Sequence, residues 1–188
     1  MEKKRIIVGI SGASGARLGI AVLETLRKCP DWATHLVMTH GAEVTLVHET
    51  DRSPDEVKSM ADVVHSVDDL AASISSGTFR TEGMIIAPCS MKTIAGIANG
   101  YSDNLLLRAA DVVIKERRRL LLMPRESPLS PIHLRNLLTL SEAGAFIFPP
   151  MPAFYHKPAD IDDVINHITG RALSYFGIET DLNRPWDG

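Results

Sequence analysis

Short, continuously apolar runs alternate along this chain with longer segments in which apolar residues recur every three or four positions. Residues 5–10, 33–39, 83–87, 120–123 and 145–148 are runs of strand length, and 63–65 adds a shorter one. A strand with no polar alternation is buried on both faces, which points to a parallel sheet covered by helices on either side. Between the runs, Leu18, Val22 and Leu26 fall at helical spacing. Residues 41–48, 68–73, 93–98, 102–117, 130–142 and 160–174 also read as helices, with Ser102 capping the longest. Ser53-Pro54-Asp55-Glu56 is a helix start, with Ser53 as cap and Pro54 in the first turn. Strand and helix alternate throughout without repeat or break. The expectation is one α/β domain in three αβα layers over residues 1–188, with 175–188 as a carboxyl-terminal tail.

Three of the expected strands end in turns of small or polar residues: Ser11-Gly12-Ala13-Ser14-Gly15, Pro88-Cys89-Ser90-Met91-Lys92-Thr93 and Pro124-Arg125-Glu126-Ser127-Pro128. Open α/β sheets bind ligands beyond the carboxyl ends of their strands, so these turns gather where a ligand sits. The first leads into a helix whose amino end offers unpaired N–H groups to an anion. It is not a complete G-x-G-x-x-G, and a tight turn that needs small residues accounts for it as well as a phosphate or flavin does. In the third, prolines fence a cation and a carboxylate onto a stiffened turn. It reads either as a surface ion pair or as part of a site.

Composition narrows the partners. The chain has 188 residues, 45% hydrophobic and 23% charged, with a net charge of −3. That argues against a nucleic-acid footprint. No apolar run reaches the length of a membrane span, and the amino-terminal residues lack the pattern of a signal peptide, so a cytoplasmic location is expected. Two cysteines, Cys29 and Cys89, suggest neither a disulfide framework nor a zinc site. Seven scattered histidines have no metal-ligand spacing and read as structural or surface residues. Cys89 reads as a small buried residue. Ser14 lacks the G-x-S-x-G elbow of a nucleophile. On the helix at 102–117, Arg108 and Lys115 lie about 10 Å apart on nearly one face. Asp111 is placed to pair with Lys115, and Arg117-Arg118-Arg119 suits the negative end of the helix dipole as a solvated cap. With Lys92, Arg125 and Arg171, an acidic chain keeps several cations for an anion such as phosphate. Tyr155 and Trp186 read as core or as walls of a site.

Taken together, several stretches carry a resemblance. They are Gly12-Ala13-Ser14-Gly15, Ser76-Gly77-Thr78-Phe79, the run from Ala87 to Thr93, Asn104 to Val112, Lys115-Glu116-Arg117-Arg118, Pro124 to Leu129 and Pro149 to Tyr155. In this order they resemble the UbiX/Pad family of flavin prenyltransferases, which includes small B subunits encoded with hydroxyarylic acid decarboxylases. The resemblance implies a flavodoxin- or Rossmann-like parallel sheet and a homo-oligomer, a dodecamer, with sites at subunit contacts. It implies transfer of a dimethylallyl group from dimethylallyl monophosphate to N5 and C6 of reduced FMN without a metal. The product, prenylated FMN, serves a UbiD-type decarboxylase. By the same resemblance Gly12, Ala13, Ser14, Thr39, Ser90, Met91, Lys92, Thr93 and Arg125 hold FMN. Arg108, Lys115, Glu126, Tyr155, Arg171 and Trp186 line the donor pocket, with Arg108 reaching across an interface. Ser14, Glu49 and Glu126 handle protons. Two other readings share these features: an FMN-dependent flavoprotein like the cysteine decarboxylases, and a non-catalytic FMN-carrying subunit.

Overall fold

A computed structural model of the chain describes residues 3–182. Six strands form one sheet: β1 Lys4–Ile10, β2 Trp32–Met38, β3 Val63–His65, β4 Gly83–Cys89, β5 Arg119–Pro124 and β6 Phe146–Ile147. Their order is β3-β2-β1-β4-β5-β6 and every neighbouring pair is parallel. This is the doubly wound order, with its reversal between β1 and β4. The helices are α1 Ala16–Leu26, α2 His40–Glu49, α3 Pro54–Lys58, α4 Met91–Ala98, α5 Leu105–Lys115, α6 Pro131–Glu142 and α7 Ile161–Ser174.

Alternation along each strand divides the core in two. Ile6, Val8, Ile10, Leu36, Ile85 and Leu121 pack with α1 and α7 on one face. Ile7, Val37, Met84, Ile86, Leu120 and Leu122 pack with α4 and α5 on the other. Both faces are apolar because both are covered, as the unbroken runs predict. The expected tail begins inside this core: Phe176 and Ile178 are buried, and Tyr175 stacks on Phe146 with ring centroids 4.4 Å apart. Trp186 lies outside the described residues.

Three local expectations are corrected. The helix expected at 102–117 runs only from Leu105 to Lys115, and its cap is Asn104, not Ser102. Its start is fixed from a distance, because the Leu105 N–H donates to the Val67 carbonyl at 2.8 Å. Residues 68–73 form turns rather than a helix, followed by a single 3-10 turn at Ser73–Ser75. There the Asp69 carboxylate accepts from the Ala71 N–H at 3.0 Å, a local bond that competes with helix formation. Thr39 does not end β2. Its side chain caps α2 by accepting from the Ala42 N–H at 3.1 Å. The Ser53 start is as expected, with Ser53 and Glu56 forming a reciprocal capping box. Among the described residues no helix is long and apolar enough to cross a membrane.

Candidate cofactor and active site

The turns after β1 and β4 are tied together at the topological reversal. The buried Ser11 hydroxyl donates to the Pro88 carbonyl at 3.0 Å and accepts from the Ser90 N–H at 2.7 Å. Beside it, Gly12 meets the start of α2 backbone to backbone. A Cβ on Gly12 would sit 2.9 Å from the Gly41 carbonyl carbon, so only glycine fits. The third turn joins through Arg125, whose N–H donates to the Cys89 carbonyl at 3.1 Å. The Arg125 side chain donates through Nε to the Ser14 carbonyl at 3.1 Å. The three polar turns expected at one sheet edge are therefore in contact.

Two cavities of about 380 Å³ each open there, sharing Gly12 and Ser90. One is lined by Gly12, Ala13, Ser14, Ser90, Met91 and the Arg125-Glu126-Ser127 turn. The other is lined by Gly12, Thr39, Gly41, Lys92, Thr93 and Asn104, among others. Every cofactor residue expected from the sequence lines one cavity or the other, and Arg125 and Ser14 both line the first. Thr39, Ser90 and Asn104 are the caps of α2, α4 and α5, so three helix amino ends and Lys92 converge on the second cavity. Each cap satisfies one N–H of its helix and leaves others directed outward. These N–H groups and Lys92 can hold an anion, with the Asp103 carboxylate and the His40–Asp68 pair at the rim of the same cavity.

The amino end of α1 is different, and corrects an expectation. Its first N–H groups are not open to a ligand. Glu49, from the last turn of α2, accepts from the Gly15 and Ala16 N–H groups at 2.8 and 2.9 Å on one carboxylate oxygen. Gly15 has φ 107°, a left-handed conformation that suits glycine, and its own side caps nothing. Burial pushes the Glu49 carboxyl up. Hydrogen bonds from the Ser14 side chain and from the Ala16 and Gly15 N–H groups, with Arg125 nearby, outweigh this and hold it below the usual carboxylate range.

Arg125 and Glu126 are not paired with each other. Arg125 turns to Ser14, while Glu126 Oε1 accepts from the Ser127 N–H at 3.0 Å. The stiffened turn thus presents a cation and a carboxylate in different directions.

The other expected donor-pocket residues lie elsewhere in the chain, and none lines either cavity. Arg108 donates to the Ser75 carbonyl and pairs with Asp111 at 2.8 Å. Asp111 therefore serves Arg108, and Lys115 pairs instead with Glu116 at 2.6 Å. Lys115 ends α5, just before β5 begins, and so stands at the opposite edge of the sheet from the turns. Arg118 is no solvated cap: it donates to the Phe79 carbonyl at 2.9 Å and to the Gly77 carbonyl, pinning that segment. Arg171 lies 5.8 Å over the Phe148 ring. Tyr155 hydrogen-bonds His167 at 3.2 Å.

Some contributors were not legible from the sequence. Ser11 stood in the first turn but carried no sign of its bridging role. Asn104 lay in a matching stretch without being read as a cap. His167, placed among scattered histidines, is buried behind Tyr155. Cys89 is buried as expected, and burial pushes its thiol far up, which leaves it inert as a nucleophile.

Comparison with known proteins agrees with this architecture. The family model described as Flavoprotein matches residues 1–173. Flavin prenyltransferase UbiX of Escherichia coli strain K12 is 55% identical over 98% of this chain and 99% of its own length. A crystal structure of AnUbiX in complex with FMN and dimethylallyl pyrophosphate superposes with a TM-score of 0.98 at 52% identity, covering 100% of this chain and 99% of that one. A dodecameric FMN-dependent UbiX-like decarboxylase from E. coli O157:H7 superposes with a TM-score of 0.96 at 53% identity, over 98% and 100% of the two chains.

Proposed function

Because the chain belongs to the flavoprotein family, among the flavin prenyltransferases, we propose that it joins a dimethylallyl group to N5 and C6 of reduced FMN. The donor is dimethylallyl monophosphate, and the prenylated FMN serves a UbiD-type aromatic acid decarboxylase. The chain acts as one flavin-binding domain within a homo-oligomer. The observation that carries this reading is the paired cavity at the β1–β4 reversal, lined by the residues expected to hold FMN. Its glycine contact lets a flat ligand approach the backbone, and its three helix amino ends with Lys92 fit a phosphate. The flavin supplies the electron-rich acceptor when bound.

The chain's own residues then have separate tasks. Thr39, Ser90, Lys92 and Thr93 hold the cofactor phosphate end; Gly12, Ala13, Ser14, Met91 and Arg125 hold the ring end. Glu126 exchanges a proton with the donor phosphate, and Ser14 with Glu49 accepts the proton lost on ring closure. Arg108, Lys115, Tyr155 and Arg171 stand away from the cavity of their own chain, so they complete the donor pocket of a neighbouring subunit. Fixed cations stabilise the departing phosphate without reorganisation. The dodecamer known for a relative at 53% identity supports that arrangement.

The test is anaerobic incubation of the protein with reduced FMN and dimethylallyl monophosphate, followed by mass spectrometry of the flavin. A flavin heavier by one prenyl unit is expected. Parallel reactions with the diphosphate identify the preferred donor. Unchanged flavin on a protein that demonstrably binds FMN overturns the reading. Glu126→Gln is expected to keep FMN and lose transfer.

A further inference from the structure

Tyr155 follows a stretch that does not aim it. Residues 149–154 carry prolines at 149, 150 and 152 and form neither helix nor strand, and Met151 and Phe154 are 73% and 76% exposed. Proline stiffens such a backbone, but it does not orient a side chain further along. The Tyr155 ring is nevertheless held by two imidazoles. His167 of α7, 3% exposed, meets the phenol oxygen through Nε2 at 3.2 Å. The His167 ring stacks on that of His156, with centroids 4.4 Å apart and 22° between the planes. The phenol ring stands edge-on to both, at 5.7 Å from His167 and 5.6 Å from His156. Arg171 follows His167 by one turn of α7 and lies over Phe148, at the near end of the same stretch. One helix therefore holds the stretch at both ends, through Phe148 and through Tyr155.

We propose that His167 is a positioning residue for prenyl transfer, which fixes the Tyr155 hydroxyl as a hydrogen-bond donor to the phosphate of the prenyl donor. The inference rests on the reading above, in which Tyr155 and Arg171 reach the donor pocket of a neighbouring subunit. A phenol has one hydrogen to give. Given to His167, it would leave the phosphate oxygens facing lone pairs. With its hydrogen on Nε2, His167 donates to the phenol oxygen instead, and the hydroxyl hydrogen is free for the phosphate. The stack on His156 keeps the imidazole from turning, and the edge contacts keep the phenol in its plane. The hydroxyl is thus ordered before the donor arrives, which lowers the entropy lost on binding. α7 presents an oriented hydroxyl and a guanidinium together, and His167 acts on the donor through Tyr155 without touching it.

Donor binding tests this apart from chemistry. Protein loaded with oxidised FMN, which lacks the electron pair that transfer needs, is titrated calorimetrically with dimethylallyl monophosphate. His167→Met removes the hydrogen-bond donor at similar volume. It is expected to weaken donor binding roughly tenfold, the scale of one hydrogen bond to a charged group, with FMN affinity unaltered. His167→Gln, whose amide N–H reaches about as far as Nε2, is expected to bind the donor within about twofold of the native chain. Tyr155→Phe should lose roughly as much as His167→Met, and the double variant should lose no more than about twofold beyond Tyr155→Phe alone. Equal losses in the Met and Gln variants, or full additivity on Tyr155→Phe, overturn the proposal. His167→Asn, too short to reach the phenol oxygen, takes the place of His167→Met if that variant does not fold. Under anaerobic turnover, KM for the donor should rise in the Met variant while KM for reduced FMN stays as it is. A native chain that transfers no prenyl group, with this coupling intact, overturns the functional reading and supports the positioning role. Transfer without the coupling does the reverse.

Discussion

Glu49 closes the amino end of α1 from another helix: its carboxylate oxygen lies 2.9 Å from the Ala16 N–H and 2.8 Å from that of Gly15. No residue of α1's own entry does this, since Gly15 has no side chain to offer. Glu49→Ala should therefore behave as loss of a cap, worth about 1 kcal/mol and lowering the melting temperature by roughly 2–4 °C. The Glu49 carboxyl is held below its usual range, so its contribution is complete above the unfolded value near 4.3. It is lost as pH falls through the folded value. Melting curves of the two proteins should converge on acidification.

Gly12 and Gly41 touch, yet the two positions are not equivalent. A Cβ on Gly12 would meet the Gly41 carbonyl carbon at 2.9 Å, whereas one on Gly41 would find its nearest neighbour at an ordinary 3.4 Å. Overpacking of this kind costs about 1–3 kcal/mol. Gly12→Ala should push the β1 turn away from α2 and weaken FMN binding by roughly tenfold or more, the same energy expressed as affinity. Gly41→Ala should bind FMN almost normally. Fluorescence titration of flavin against the two variants checks the asymmetry.

Arg118 holds the 77–79 segment through two carbonyls that a lysine's single ammonium cannot bridge in the same planar fork. Arg118→Lys should destabilise the chain by about 2 kcal/mol. Hydrogen exchange at residues 77–80 should rise, and the chain's own FMN affinity should hold. Exchange mass spectrometry with the flavin bound separates these effects.

His35 and His65 face each other at 3.0 Å across β2 and β3, with Phe79 edge-on to His35. Burial, His65 and Arg5 push His35 down to about 4, and burial also lowers His65. The unfolded chain therefore binds protons that the folded one refuses. Stability is complete above the ordinary histidine value near 6.5 and is lost as pH falls from there toward about 4. His35→Gln should flatten the melting temperature over that interval, measured at matched ionic strength.

The sheet was legible because its strands are apolar on both faces, a pattern that few other arrangements produce. The cap Ser53 was legible for a related reason: cap and helix are neighbours in sequence. Asn104 was not, because the Leu105 N–H is taken by Val67, 38 positions earlier in sequence number, and only the fold brings them together. Arg108, Asp111 and Lys115 all sat at helical spacing. Spacing alone did not decide which cation the carboxylate would choose. Among the site residues, those in the turns after β1, β4 and β5 were readable from strand order. The tie of Glu49 to α1 was invisible, since it joins elements whose contact follows from the winding of the sheet rather than from any local signal.

The occupied end of α1 also limits what this scaffold can be made to hold. Doubly wound proteins that take dinucleotides rest a pyrophosphate on the first helix, over a glycine-rich turn. Here a resident carboxylate already neutralises that positive end, and an incoming phosphate would meet like charge instead of open donors. Rebuilding the turn after β1 as a full glycine fingerprint would not convert the protein to a dinucleotide binder unless Glu49 were removed with it.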